Sequence, residues 1–211
     1  TWGDHDFGGN VCHLVLARLP DAVAGVKGIS LFMVPKFLPN ADGSLGEANS
    51  LKVVSLEHKM GIHGSPTCVM QYDGAKGWLV GAPHKGMAAM FTMMNNTRLN
   101  VGVQGVGVAE AAYQHALAYA KDRQQMGPII QHADVRRMLL IGKCAAEGSM
   151  ALVLACARLV DDEPTAPDEA ARREATVLLE FLTPIAKSWP AIYGQEGISN
   201  ALQTMGGYGY A

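Results

Sequence analysis

The first third of the chain alternates short apolar runs with turn signals. Between residues 11 and 72, runs rich in branched residues are separated by clusters of glycine, proline, asparagine and aspartate. Such a pattern is typical of β-strands joined by turns. We predict strands at residues 11–19, 28–35, 51–56 and 67–72. This part of the chain is therefore predicted to be an antiparallel β region.

The hydrophobic period changes after Gly86. Apolar residues, many of them methionine, then recur at intervals of three, four and seven positions. This is the spacing of residues on one face of an α-helix. The pattern predicts a helix of unusual length over residues 85–123, which ends near Gly127.

Two further helices are predicted beyond this point. One runs from about residue 132 to residue 160, and its middle is apolar on nearly every face, which places it inside a bundle. The acidic, proline-containing stretch 161–167 is predicted as a loop. A third helix is expected over residues 167–205, with a kink or a break where Pro184 and Pro190 interrupt it.

These elements together predict an α+β fold. Residues 1–84 are expected to form a partial antiparallel β-barrel or sandwich domain, and residues 85–211 a bundle of long antiparallel helices. The hydrophobic fraction of 49% and charged fraction of 17% suit a folded, well-packed protein.

Composition narrows the classes of function. A formal net charge of -2, with no run of basic residues, argues against an electrostatic nucleic-acid surface. Because Arg18, Lys143 and Arg158 interrupt the longest apolar stretches, we expect no membrane span. His58 and His63 are separated by a turn and lack further ligands, so no metal site is expected.

The cysteines form no CxxC pair and lie among apolar neighbours. We therefore expect reduced, buried thiols in a cytoplasmic protein. The four cysteines are Cys12, Cys68, Cys144 and Cys156.

Five short motifs occur in a fixed order along the chain. They are EHKMGIHGSPT at 57–67, GWLVGAPHKGM at 77–87, NNTR at 95–98, DRQQMG at 122–127 and LQTMGGYG at 202–209. In this order and with these separations, the chain resembles the acyl-CoA dehydrogenase family over nearly its whole length. The segments 65–70 and 91–98 are most similar to the 3-methylmercaptopropionyl-CoA dehydrogenase-like subgroup.

The resemblance implies a flavin enzyme that acts on acyl thioesters. Such an enzyme removes a proton from the α-carbon and passes a hydride from the β-carbon to flavin N5. The chemistry needs an oriented FAD, hydrogen bonds to the thioester carbonyl and a carboxylate base. The implied partners are an acyl-CoA substrate, an electron-transfer flavoprotein and further copies of the chain, in a homodimer or tetramer packed through the helical domain.

Three residues match family positions near the flavin ring and the diphosphate. Thr1 aligns with a threonine that approaches the ring edge; the alternative is a frayed strand end. Arg123 aligns with an arginine that binds the diphosphate of a neighbouring subunit's flavin; the alternative is a solvated arginine near a helix C-terminus. Met126 replaces a phenylalanine that packs near the cofactor.

The adenosine end of FAD is implied to contact the glycine-rich stretch near the end of the chain. Gln203, Gly206 and Gly207 match these positions, and the alternative is a helix C-cap. Three other glycines resemble a nucleotide fingerprint but lie inside a helix pattern, where we expect them to permit close helix packing. They are Gly102, Gly105 and Gly107.

Arg98 matches an arginine near the acyl-CoA site, and Asn95 takes the place of an acidic residue. Arg98 also falls on the apolar stripe of the first helix, where an uncompensated charge is costly, so a polar partner or a ligand is expected. The alternative to a substrate role is an internal ion pair or a hydrogen bond to a carbonyl.

No residue of the chain matches the catalytic base. In most of the family this glutamate lies beyond the glycine-rich turn, which here means beyond Ala211, and in a minority it occupies the position of Thr97. No family motif places Glu110, Glu147 or Glu180 at the substrate. We therefore expect a truncated chain that is inactive alone and does not retain FAD firmly.

Two other classes of function compete with this hypothesis. One is a non-catalytic helical module that only provides oligomer contacts, which the apolar content permits. The other is a flavoprotein of this fold that acts in a nucleic-acid repair response, which the lack of basic patches disfavours.

Overall fold

A computed structural model describes residues 3–5 and 7–211. The chain divides into two compact units, Thr1–Thr92 and Met93–Ala211. The predicted site residue Thr1 lies outside the described residues.

The described residues of the first unit form seven antiparallel strands in three small sheets. One sheet has the order β1-β2-β7, a second pairs β3 with β4, and a third pairs β5 with β6. The strands are β1 Cys12–Arg18, β2 Ile29–Pro35, β3 Phe37–Pro39, β4 Leu45–Ala48, β5 Leu51–Leu56, β6 Cys68–Tyr72 and β7 Trp78–Val80. All four predicted strands are thus confirmed, and the α+β fold class is confirmed with them.

Strand β2 contributes buried apolar residues to the core of this unit. It pairs with β1 along its whole length, from Cys12 opposite Pro35 to Arg18 opposite Ile29. Leu31 and Val34 of β2 are buried together with Val11, which precedes β1. Because β2 lies between β1 and β7, its backbone is paired along both edges.

A buried histidine ties the start of the chain to this unit. The Nε2 atom of His13 lies 2.9 Å from the carbonyl oxygen of Gly3, and Nδ1 lies 3.0 Å from the hydroxyl of Tyr72. Since a carbonyl only accepts, Nε2 must carry the hydrogen, and the tyrosine hydroxyl donates to Nδ1. Burial raises the pKa of Tyr72, which keeps this hydroxyl a donor.

Three long helices follow the strands. They are α1 Gly86–Asp122, α2 Ala133–Thr165 and α3 Glu169–Thr204. Helix α3 begins at an aspartate N-cap, where the side chain of Asp168 accepts a hydrogen bond from Ala171 N at 2.8 Å. Small buried residues dominate one core cluster of the helical unit, which contains Ala116, Ala120, Ile129, Leu139 and Ala201.

The structure corrects two helix predictions. Residues 161–165 were expected in a loop but form the last turn of α2, which includes Pro164. Helix α3 is continuous through Pro184 and Pro190, so the predicted break is absent. A proline removes only one backbone donor, and near Pro164 the hydroxyl of Thr165 donates to Asp161 O at 2.7 Å, which supports the last turn.

The glycines inside α1 serve helix packing at two of the three predicted positions. A Cβ on Gly102 would overlap the carbonyl oxygen of Ala186, and one on Gly105 would lie 3.0 Å from Pro190 Cβ. A Cβ on Gly107 would meet nothing within 4 Å. The packing interpretation is therefore confirmed for Gly102 and Gly105 and wrong for Gly107.

Two expectations from composition also need correction. All four cysteines are free, but only Cys156 is buried, while Cys12 and Cys144 are exposed. Burial raises the pKa of the Cys156 thiol, which disfavours its thiolate. Among the described residues one helix, α2, is long and apolar enough to cross a membrane, although a helix in the core of a bundle satisfies the same criteria.

Candidate cofactor site

The loop after α1 holds Arg123 in a defined place. The amide of Arg123 donates to Tyr119 O at 2.9 Å, and its carbonyl accepts from Ile129 N at 3.0 Å. Between these anchors the loop turns through Gly127 at φ 110°. His132 Nε2 lies 3.0 Å from Gln125 O and closes the loop from the start of α2. The guanidinium therefore projects from a backbone that is fixed on both sides.

The glycine-rich stretch after α3 forms a second turn. Gly206 has φ 60°, a left-handed conformation that favours glycine. A Cβ on Gly209 would overlap Leu202 O, so the chain folds back closely on the end of α3. A Cβ on Gly206 or Gly207 would meet nothing within 4 Å, which leaves their backbone open to an approaching ligand.

These two segments enclose a cavity of about 400 Å³. Arg123 lines it from the α1 side, and Gly206 and Gly207 line it from the α3 side. Tyr119 and Tyr208 complete the wall beside the arginine. The volume lies in the range of about 300–1,000 Å³ that is typical of small-molecule pockets.

Arg123 carries a charge that no described acidic side chain neutralises. Within the part of the chain that the structure describes, its guanidinium makes no ion pair. Its Cζ lies 6.0 Å from the centroid of the Tyr208 ring. The guanidinium is therefore available to an anionic ligand, and a diphosphate matches its planar set of donors.

The other predicted cofactor residues are placed differently. The amide oxygen of Gln203 accepts a hydrogen bond from the hydroxyl of Tyr210 at 3.0 Å. Gln203 immediately precedes Thr204, which lines the cavity. The side chain of Met126 is 93% exposed and does not line the cavity. The structure thus brings together Arg123, Gly206 and Gly207, with Gln203 beside them, and leaves Met126 in solvent.

The two predicted substrate residues are neighbours on α1. Arg98 is half-buried, and its Nη1 donates to Asn95 Oδ1 at 3.3 Å. This amide is the kind of polar partner that the position of Arg98 on an apolar stripe requires. Thr97 lies between them, and its hydroxyl donates to Met93 O at 3.0 Å within the same helix.

The helical glutamates are engaged in local interactions or exposed. Glu110 accepts a hydrogen bond of 2.6 Å from Gln114, Glu147 pairs with Lys143 at 3.5 Å, and Glu180 is exposed. Across residues 3–5 and 7–211, no group of three or more His, Cys, Asp or Glu side chains is arranged to hold a metal ion.

Two aromatic residues of the site were missed by sequence analysis. Tyr119 and Tyr208 both line the cavity, and their ring centroids are 6.2 Å apart. Tyr119 precedes Arg123 by four positions, which is one helical turn, and this spacing is the only sequence signal that could have indicated it. No local pattern connects Tyr208 with a residue so distant in the chain.

Comparison with known proteins identifies the family. Residues 84–211 match the family described as acyl-CoA dehydrogenase, C-terminal domain. The chain therefore belongs to the acyl-CoA dehydrogenase family.

Individual relatives agree with this assignment. The chain is 48% identical to 3-methylmercaptopropionyl-CoA dehydrogenase of Ruegeria pomeroyi over 220 aligned residues, which cover 100% of the chain. It is 40% identical to a butyryl-CoA dehydrogenase of Syntrophomonas wolfei over 228 aligned residues, again covering 100% of the chain. The solved structure of Caenorhabditis elegans ACDH-11 in complex with C11-CoA matches with a TM-score of 0.79 and 26% identity, covering 94% of this chain and 33% of that one.

The chain is much shorter than these relatives. It spans 37% of the length of each of the two curated dehydrogenases.

Proposed function

We propose that this chain is part of an FAD-dependent acyl-CoA dehydrogenase that introduces a double bond between the α- and β-carbons of an acyl-CoA. In that reaction a base takes the α-proton and the β-carbon loses a hydride, so that the thioester is oxidised by two electrons. FAD, when bound, supplies the N5 atom that accepts the hydride. Family membership supports the reaction class, and the cavity beside Arg123 supports the cofactor.

The observation that carries the proposal is that Arg123, which makes no ion pair among the described residues, lines one cavity with an open glycine turn. Arg123 lines the same cavity as Gly206 and Gly207. A guanidinium supplies charge and paired donors to a diphosphate, while glycine permits close approach of the backbone. This chain therefore contributes the diphosphate and adenosine contacts of the cofactor site, with Gln203 as an additional amide group.

Adenosine diphosphate tests this role directly, because it carries the same diphosphate and base as that end of FAD. We expect the chain to bind ADP more tightly than adenosine, and Arg123→Ala to weaken ADP binding by roughly 10- to 100-fold, since hydrogen bonds to charged groups contribute about 1.5–3 kcal/mol. Equilibrium dialysis at low salt measures both affinities.

The matched control is Arg158→Ala, which removes an exposed arginine that pairs with Asp162 on α2, outside the cavity. This variant should bind ADP as the unmodified chain does. Equal affinities for ADP and adenosine in the unmodified chain would contradict the proposed cofactor role.

We also propose that the chain alone does not catalyse the reaction. One of the two positions where the family carries its base is occupied here by Thr97, which has no carboxylate, and the other follows Ala211. With FAD, an acyl-CoA and an artificial electron acceptor, we expect no reduction of the acceptor above the rate without protein. A full-length relative such as the Syntrophomonas wolfei enzyme serves as the positive control, and clear turnover by the 211 residues would refute the proposal.

The exposed surface of the helical unit favours assembly of several copies. Large apolar side chains on α2 and α3 are exposed, among them Leu140, Leu154, Phe181 and Ile192. Such residues favour a homodimer or tetramer through the helical domain, and an assembly role without catalysis is the second candidate function. Light scattering measures the number of copies. If the unmodified chain binds ADP and adenosine equally well and still forms a dimer or tetramer, assembly is the function that remains.

The remaining partners follow from the reaction. An acyl-CoA supplies the two electrons, and we propose that an electron-transfer flavoprotein accepts them from the reduced enzyme. The free cysteines are consistent with a cytoplasmic location. Cell fractionation tests the location, and a reduction assay with the electron-transfer flavoprotein and a full-length relative tests that partner.

A further inference from the structure

We propose that Tyr208 is a positioning residue for Arg123: its ring holds the guanidinium at the cavity so that the charge faces a diphosphate. This inference rests on the proposed cofactor role of Arg123. It adds a specific task for a tyrosine of the glycine-rich turn, which acts on the ligand only through the arginine.

The geometry of the two side chains supports this task. The Cζ atom of Arg123 lies 6.0 Å from the centroid of the Tyr208 ring, which is the distance of a cation–π contact. The Tyr119 ring lies 6.2 Å from the Tyr208 ring at an angle of 56°, and it supports that ring from the α1 side. Tyr208 is nevertheless 70% exposed, so burial alone does not explain its place in the cavity wall.

An aromatic ring is a suitable partner for an arginine that must bind an anion. A carboxylate would orient the guanidinium equally well but would neutralise its charge and occupy its donors. The ring face attracts the cation and leaves all of the N–H groups available. In the part of the chain that the structure describes, Arg123 makes no ion pair, as expected if a ring and not a carboxylate orients the guanidinium.

The backbone of the turn determines where the ring lies. Gly206 takes a left-handed conformation with φ 60°, and Gly209 passes so close to Leu202 O that a side chain there would overlap it. Tyr208 lies between these two constrained glycines. Its ring is therefore directed by the turn, while Arg123 comes from a separate, independently anchored loop.

The test compares two replacements of Tyr208 with matched ligands. Tyr208→Phe keeps the ring, whereas Tyr208→Leu keeps a large apolar side chain without a π-face. We expect Tyr208→Leu to weaken ADP binding by about 2- to 5-fold, which corresponds to an exposed cation–π contact, and Tyr208→Phe to leave it unchanged. Adenosine, which has no phosphate, should bind all three proteins equally well. Equilibrium dialysis measures each affinity.

A double-mutant cycle separates positioning from direct contact. If Tyr208 acts through the arginine, Tyr208→Leu has no further effect on ADP binding in an Arg123→Ala background. An equal loss for ADP and adenosine, or a loss that persists without Arg123, would overturn the inference while leaving the cofactor role of Arg123 intact. If the unmodified chain does not prefer ADP to adenosine, the cofactor role fails and the inference fails with it.

A measurement without ligand tests the contact itself. In ¹⁵N-labelled protein the Nε–Hε resonance of Arg123 should show a ring-current shift that Tyr208→Leu removes and Tyr208→Phe retains. The matched control is Phe181→Leu, which replaces an aromatic residue of similar exposure, 66%, on α3. An Arg123 resonance that is identical in Tyr208→Leu and in the unmodified chain would overturn the inference.

Discussion

Replacing Gly102 with alanine is expected to destabilise the helical unit by about 3 kcal/mol. A Cβ at this position would overlap the carbonyl oxygen of Ala186 on α3. That carbonyl belongs to backbone and cannot move aside as the end of a flexible side chain can. The added methyl group must therefore push the two helices apart, which costs more than the helix propensity that alanine gains.

Pro190, four residues after Ala186 on α3, explains this close approach. Pro190 has no N–H, so Ala186 O lacks the helical donor that it would normally have. Because Gly102 has no side chain, the backbone of α1 can lie close to this oxygen. Gly105 lies against the fully buried Pro190 itself, with a Cβ-to-Cβ distance of 3.0 Å if a side chain were added.

The same helix contains the control for this substitution. A Cβ added at Gly107 would meet nothing within 4 Å. Gly107→Ala should therefore stabilise the protein by about 0.5–1 kcal/mol through helix propensity. Thermal unfolding followed by circular dichroism at the helix band measures both variants. We expect Gly102→Ala to lower the midpoint by roughly 6–12 °C and Gly107→Ala to raise it slightly. A similar shift in both variants would show that the Gly102 contact is not tight.

The long helices were predictable because their signal is local and repeated. The apolar period predicted a first helix over residues 85–123, and α1 spans Gly86–Asp122. Helix ends and interruptions were harder, because a proline signals a break only when the surrounding packing does not hold the helix together. Pro190 is fully buried, and the tight packing around it keeps α3 continuous.

The strands that escaped prediction are the shortest ones. Strands β3 and β7 have three residues each and β4 has four, too few to show an alternating pattern. Their pairing depends on neighbouring strands, as in β7, where Trp78 lies opposite Met33 of β2. Such strands are specified by tertiary contacts, which a single sequence window does not contain.

The candidate cofactor site was also predictable only in part. Family resemblance indicated Arg123, Gly206 and Gly207, and in the structure they line one cavity. The same resemblance suggested Met126, whose side chain is in solvent. Tyr208 could not be predicted to contact Arg123, because that contact joins the loop after α1 to the turn after α3 and depends on how the helices pack.

Replacing Asn49 with alanine is expected to destabilise the strand-rich unit by about 3–5 kcal/mol. Asn49 is 7% exposed, and its amide makes four hydrogen bonds with backbone groups. Its Nδ2 donates to Pro35 O and Lys76 O, each at 2.8 Å. Its Oδ1 accepts from Lys76 N at 2.9 Å and from Ser50 N at 3.0 Å.

These bonds join three separate segments at one side chain. Pro35 ends β2, Ser50 precedes β5, and Lys76 lies in the loop that leads to β7. Alanine would leave the partner groups without their hydrogen bonds in a place that water reaches poorly, and each such group costs about 1–3 kcal/mol. Asn49→Asp should be at least as damaging, because a carboxylate would face two carbonyl oxygens instead of donating to them.

The control is Asn40→Ala, which removes an exposed asparagine whose Nδ2 donates to Ser44 Oγ at 3.0 Å. Since water can replace that bond, we expect a cost of about 0.5–1 kcal/mol. Hydrogen exchange read by mass spectrometry resolves the two units: Asn49→Ala should accelerate exchange in peptides from β2 and β5, while Asn40→Ala should not. Unchanged protection of β2 and β5 in Asn49→Ala would mean that the sheets hold together without this side chain, and that the Pro35 and Lys76 carbonyls find other partners.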